Sequence, residues 1–127
     1  MLTSRTTLVA VGGLIGSLLR YWLAGVVQRA TDGAAFPAGT LAVNVAGSFV
    51  IGIVMTLSLE RGLLNDEARV LLATGFCGGF TTMSTFSYET IALLRDGETI
   101  LALGNVGATL GACFGAVWLA SAVARLL

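Results

Sequence analysis

The chain contains no histidine and no lysine, a single proline and only two cysteines. Without histidine, the commonest metal ligand and neutral-pH proton carrier is missing. Cys77 and Cys113 lie in apolar runs without metal-ligand spacing, where a thiol serves as a small apolar side chain. Neither a disulfide framework nor a zinc site is expected. The formal net charge is zero and only 11% of the 127 residues are charged, which leaves no basic surface for nucleic acid. Nor is there an acid pair or a nucleophile–base arrangement, and Gly104, Gly107 and Gly111 do not fit a dinucleotide turn. No enzyme is expected.

What the chain has in quantity is apolar surface: 56% hydrophobic residues and a mean hydropathy of +0.91. Charge is absent from residues 33–59, 70–88 and 99–124, and Arg20 alone interrupts residues 6–28. Each run meets or approaches the roughly 20 residues that cross about 30 Å of hydrocarbon. The sequence predicts an all-α membrane protein with four transmembrane helices, over about 6–28, 39–59, 70–94 and 100–126. They fill 1–127 as one unit, joined by a short loop through Asp32, Gly33 and Pro37, a charged turn from Glu60 to Arg69, and a turn at 95–98. Arg5 ahead of an apolar run resembles the start of a signal peptide. No small-x-small cleavage site follows, so the segment is expected to stay as the first helix.

The third span differs from the others. Gly78 and Gly79 weaken a helix, and six of the eight residues from Thr81 to Tyr88 carry hydroxyls that compete for backbone hydrogen bonds. In a bilayer, irregular backbone is tolerated only where protein buries it or it lines a cavity. Broken helices at membrane depth present backbone groups to ions. The sequence thus predicts a break near Gly78–Thr82, mid-membrane, and an ion site or pathway there.

Glycines at four-residue spacing (Gly12 and Gly16; Gly75 and Gly79; Gly107, Gly111 and Gly115) predict ridges for close helix packing. Four crossings set Arg5, Arg61, Arg69 and Arg125 against Arg20, Arg29 and Arg95. That balance gives no strong orientation. Insertion both ways with antiparallel pairing fits it, and so does a weak bias fixed by other signals.

Several polar groups could serve an ion or merely join helices. Arg20 faces protein, water or an anion at depth, or snorkels to the interface. Thr40, Asn44 and Ser48 share one helix face. The Asn44 amide can donate to an anion, although an interhelical hydrogen bond is the plainer reading. Asn105, Thr109 and Cys113 repeat this spacing on the last helix, as a pore wall or as packing. Glu89 reads first as a local hydrogen-bond partner and second as a titrating group. Phe80, Met83 and Phe86 read as core packing, or as a place where electropositive ring edges meet a small anion.

Over essentially its full length the chain resembles the Fluc (CrcB) fluoride channels. The resemblance is carried by Gly12-Gly13-x-x-Gly16-x-x-x-Arg20-Tyr21, by Gly39-Thr40-Leu41-x-Val43-Asn44 with Gly47-Ser48, and by the run Gly75 to Glu89. It implies a passive, highly selective fluoride channel of the bacterial plasma membrane, working as an antiparallel dual-topology homodimer with two pores. It also implies a structural sodium ion at the dimer centre, held by the carbonyls of Gly78 and Thr81. Asn44 and Phe86 would line the pore, Ser84 and Thr85 would supply hydroxyls, and Arg20 would favour anions at a vestibule. Asn105, Thr109 and Cys113 would form a polar track. The chain departs from the family pattern at Met83, where phenylalanine is common, and at Cys113, a weaker donor than a hydroxyl.

Two other readings compete. A proton-coupled drug exporter of four helices would carry an acid in its first helix, and this chain has Arg20 there instead. A scaffold assembled through its glycine ridges would move no ion, and would give no reason for the costly third-span break.

Overall fold

The computed structural model describes residues 2–127. Helix α1 runs over Leu2–Ala30, longer at both ends than the expected 6–28. Asp32 and Gly33, with φ of 53° and 70°, then turn the chain back. Gln28 pins this loop: its Nε2 donates to the carbonyls of Ala34 and Phe36, at 3.1 and 3.2 Å. Its Oε1 accepts the Gly39 N–H at 3.1 Å. A side chain of α1 thus caps the first turn of α2, where Pro37 provides no side-chain cap.

Helix α2 covers Ala38–Glu60, widening into π geometry over Thr56–Glu60. Helix α3 spans 66–80 and is π-helical over Val70–Cys77. It starts earlier than expected because the Asn65 carboxamide accepts the Ala68 N–H at 2.8 Å, an N-cap that makes Asp66–Arg69 a helical turn. Helix α4 covers Met83–Arg95 and α5 Thr99–Ala124. The result is an all-α bundle of four helical units, the third of which is interrupted between α3 and α4. Among the described residues three helices, over Thr3–Ala30, Ala38–Glu60 and Thr99–Ala124, are long and apolar enough to cross a membrane.

Close packing is concentrated in two pairs, α1 on α3 and α2 on α5. Glycine makes the first possible. A Cβ at Gly16 would sit 2.2 Å from the Phe76 carbonyl oxygen, and one at Gly12 2.4 Å from that of Leu71. In the second pair, a Cβ at Gly52 would meet that of Ala120 at 2.8 Å. The ridge on the last helix behaves differently. Gly107, Gly111 and Gly115 have nothing within 4 Å of where a Cβ would stand, so that ridge faces away from the chain's own helices. Large apolar side chains share the outside: Phe114 is 72% and Trp118 73% exposed. Such a surface suits hydrocarbon or another subunit, not water. The interior is made of small side chains such as Val43, Cys77, Ala102 and Ala120.

The α1–α3 contact yields a test. Gly16→Ala pushes a methyl onto a carbonyl 2.2 Å away, whereas the nearest atom to a Cβ at Gly13 is 3.8 Å off. Gly16→Ala is expected to cost about 1–3 kcal/mol, the usual penalty of overpacking, and Gly13→Ala close to nothing. Thermal unfolding of the two purified variants checks the difference; equal midpoints would contradict the close approach.

Candidate functional site

Two residues leave the helix. Thr81 has φ −90° and ψ 159° and Thr82 has φ −151° and ψ 111°, both extended. The interruption is therefore narrower and later than the expected Gly78–Thr82. Gly78 is helical, at φ −61° and ψ −37°, and helix α3 continues to Phe80. The glycine pair does not break the helix. Gly79 is there for proximity, since its Cβ would lie 2.6 Å from the Gly13 carbonyl oxygen.

Ending one helix and starting another strands carbonyls on one side and N–H groups on the other, and here most find partners. The Cys77 carbonyl accepts both the N–H and the hydroxyl of Thr81, each at 3.0 Å. The Gly79 carbonyl accepts Nε–H of Arg20 at 3.0 Å. Asn44 handles Thr82 at both ends: its Oδ1 accepts the Thr82 N–H at 2.8 Å, and its Nδ2 donates to the Thr82 carbonyl at 3.2 Å. The side-chain amide stands in for a neighbouring peptide group. The Thr82 hydroxyl then caps α4, accepting the Thr85 N–H at 3.2 Å and donating to the Thr85 hydroxyl at 3.0 Å. Gly47, one turn beyond Asn44, lets α2 close on the break; a Cβ there would meet Thr81 Cγ2 at 2.3 Å.

Among the described residues no N–H or hydroxyl donates to the carbonyls of Gly78, Phe80 and Thr81. Of these three residues, Gly78 and Thr81 line a cleft of about 330 Å³, together with Asn44, Met83, Phe86, Thr109 and Cys113. No cluster of histidine, cysteine or acidic side chains among the described residues could hold a metal. Free carbonyl oxygens are nevertheless the donors that a hard cation prefers, so the Gly78 and Thr81 pair suits one.

A second cleft, of about 300 Å³, holds Arg20, Thr40, Thr85 and Glu89. Thr82 belongs to the walls of both clefts, so the Asn44–Thr82 pair lies between them. The expected site residues are thus divided, seven of them on the first cleft and Arg20 and Thr85 on the second. Ser84 and Asn105 line neither. Ser84 is exposed, with its hydroxyl 3.3 Å from that of Thr82. Asn105 is only 1% exposed and belongs to a chain of bonds. It receives the Thr109 hydroxyl at 3.4 Å and donates to that of Thr90 at 3.0 Å, which donates to the Phe86 carbonyl at 2.7 Å. This chain ties α4 to α5. Met83 is 67% exposed beside its cleft.

Thr82, which the sequence marks only as the end of the expected break, holds the break, and Thr90, which carries no sequence signal, makes the α4–α5 tie. The signal for Thr82 was present: a hydroxyl directly before a helical run is an N-cap. Glu89 accepts the Thr40 hydroxyl; it is a hydrogen-bond partner, but between α4 and α2 and not within its own local structure.

Apolar membrane-length helices around one discontinuous helix, with free carbonyls on a cleft, define an integral membrane protein whose third helical unit is broken. Residues 7–121 match the family described as CrcB-like protein, Camphor Resistance (CrcB), and the chain belongs to that family. It is 50% identical over 119 residues to the fluoride-specific ion channel FluC of Geobacter sulfurreducens, covering 94% of this chain and 95% of the relative. It is 53% identical over 115 residues to the protein of the same name from Thermus thermophilus, covering 91% and 85%. The FluC of Geotalea uraniireducens is 47% identical over 119 residues, again covering 94% and 95%. Family membership places the chain among channels rather than enzymes, and in the bacterial inner membrane.

The clamp on Thr82 predicts a stability effect. Asn44→Asp keeps an acceptor for the Thr82 N–H but sets a carboxylate oxygen against the Thr82 carbonyl. Loss of that bond, with an unpaired acceptor left behind, is expected to cost about 1–3 kcal/mol. Thermal melting of purified protein measures it, and an unchanged midpoint would remove Asn44 from the clamp.

Proposed function

We propose that the chain, 1–127, is one subunit of a passive, fluoride-selective channel that lowers cytoplasmic fluoride. The observation that carries this reading is the break itself: the carbonyls of Gly78 and Thr81 are free at a cleft that also holds Asn44 and Phe86. The names of the relatives, fluoride-specific ion channels of nearly the same length, support the choice of anion. The working unit is an antiparallel, dual-topology homodimer with four crossings per subunit and two pores. In favour of this stand the even arginine balance and the outward glycine ridge of α5 with its large apolar neighbours.

The chemistry follows from the donors. Asn44 spends one Nδ2–H on Thr82; an amide has a second, which serves the anion in the cleft. The Phe86 ring offers an electropositive edge, and Thr109 and Cys113 on the same cleft continue the polar track with Asn105. Met83 replaces the usual second ring with a polarizable thioether. Thr85, with Ser84 beside it, supplies hydroxyls on the far side of the Asn44–Thr82 pair, and Arg20 draws anions toward that vestibule. None of these groups grips fluoride as a cation site would, so the ion is admitted and released. A structural sodium ion, held by the Gly78 and Thr81 carbonyls of both subunits, supplies a fixed positive charge at the dimer centre.

Protein reconstituted into liposomes is expected to pass fluoride electrogenically and to exclude chloride. Equal chloride flux, or no fluoride flux from a well-folded dimer, would reject the proposal. In the same assay Asn44→Asp, which replaces both amide donors with a negative oxygen, is expected to slow fluoride passage at least about tenfold, a barrier increase near 1.4 kcal/mol. Wild-type flux from that variant would take Asn44 out of the pore.

A further inference from the structure

Arg20 is the only charge in residues 6–28, and it reaches across the bundle to a main-chain atom. Its Nε–H lies 3.0 Å from the Gly79 carbonyl oxygen. In an unbroken helix that carbonyl would accept the N–H of Met83, four residues on. The two extended threonines carry Met83 out of reach, and the guanidinium takes its place. The position is electrostatically apt, because the C-terminal end of a helix is partially negative and favours a cation.

The alternative conformation shows what this bond prevents. Were 79–82 to close into a helical turn, Thr82 would donate to Gly78 and Thr85 to Thr81, by the ordinary four-residue pattern. Both free carbonyls would then be consumed. Asn44 opposes that closure from the α2 side through Thr82, and Arg20 opposes it from the α1 side through Gly79. Nε alone makes this contact, while the side chain also borders the cleft with Thr40, Thr85 and Glu89. An arginine can do both because its planar fork carries several donors in fixed directions.

We propose that Arg20 is a positioning residue for the cation site: by holding the Gly79 carbonyl it keeps those of Gly78 and Thr81 available. The inference rests on the reading that a sodium ion sits at the break. Its test is the sodium concentration that half-maximally stabilises purified full-length dimer against heat, with N-methylglucamine as the replacement cation.

Arg20→Leu is expected to raise that concentration about tenfold, the scale of one lost charge-assisted hydrogen bond. Arg20→Gln, which can still offer one N–H to Gly79, is expected to recover part of the shift. Arg20→Met, expected to behave as the leucine variant, replaces it if Arg20→Leu does not fold. A wild-type sodium response in the apolar variant, with fluoride flux lowered alike in the glutamine variant, would overturn the inference and leave Arg20 acting through charge on the anion alone. A wild-type dimer indifferent to sodium would instead remove the cation reading, and this inference with it.

Discussion

A peptide group in hydrocarbon has no water to pair with, so each one taken out of a helix must find a partner in the protein. At Thr81 and Thr82 two consecutive residues are extended, and the bidentate pairing of the Asn44 amide with Thr82 is what lets them remain so. The remaining contacts at the break work around that pairing. Arg20 occupies the end of α3, the Thr82 hydroxyl caps α4, and Thr81 folds its own hydroxyl back onto Cys77. Once these bonds are counted, the unpartnered carbonyls of Gly78 and Thr81 become meaningful, because unmade bonds at depth are costly unless something else uses them.

Packing serves the same end. Close approach of α1 to α3 through Gly16 and Gly79 brings Arg20 within reach of the break, and Gly47 lets α2 present Asn44 to it. The second half-helix is fixed from another direction, by the bond from Asn105 of α5 to its Thr90 and by the bond from Thr40 of α2 to its Glu89. Helices on either side therefore hold each half of the broken unit independently.

The helices and the existence of a break were legible in the sequence, because charge-free runs of membrane length and a cluster of hydroxyls are strong local signals. The location of the break was less so. Gly78 and Gly79 have poor helix propensity, yet both are helical; α1 packs against Gly79, a contact invisible in local sequence, and Gly78 shares that turn while facing the cleft. The early start of α3 was legible in principle: Asn65 ahead of Asp66 and Glu67 is an N-cap pattern. The π geometry of Val70–Cys77 has no sequence signature that we recognise. Asn44 stands out in the sequence by its chemistry, and in the structure it bonds Thr82 and lines a cleft. The partners that matter most to it, the N–H and C=O of Thr82, belong to the backbone and carry no side-chain signature at all.

The break consists of two extended threonines, whose conformation solid-state NMR of isotopically labelled protein in lipid bilayers reads directly. The ¹³Cα and ¹³Cβ shifts of Thr81 and Thr82 are predicted to be those of extended backbone, between helical values at Phe80 and Met83. Helical shifts at both threonines would mean a continuous third helix, with the Gly78 and Thr81 carbonyls bonded within it, and would contradict the account.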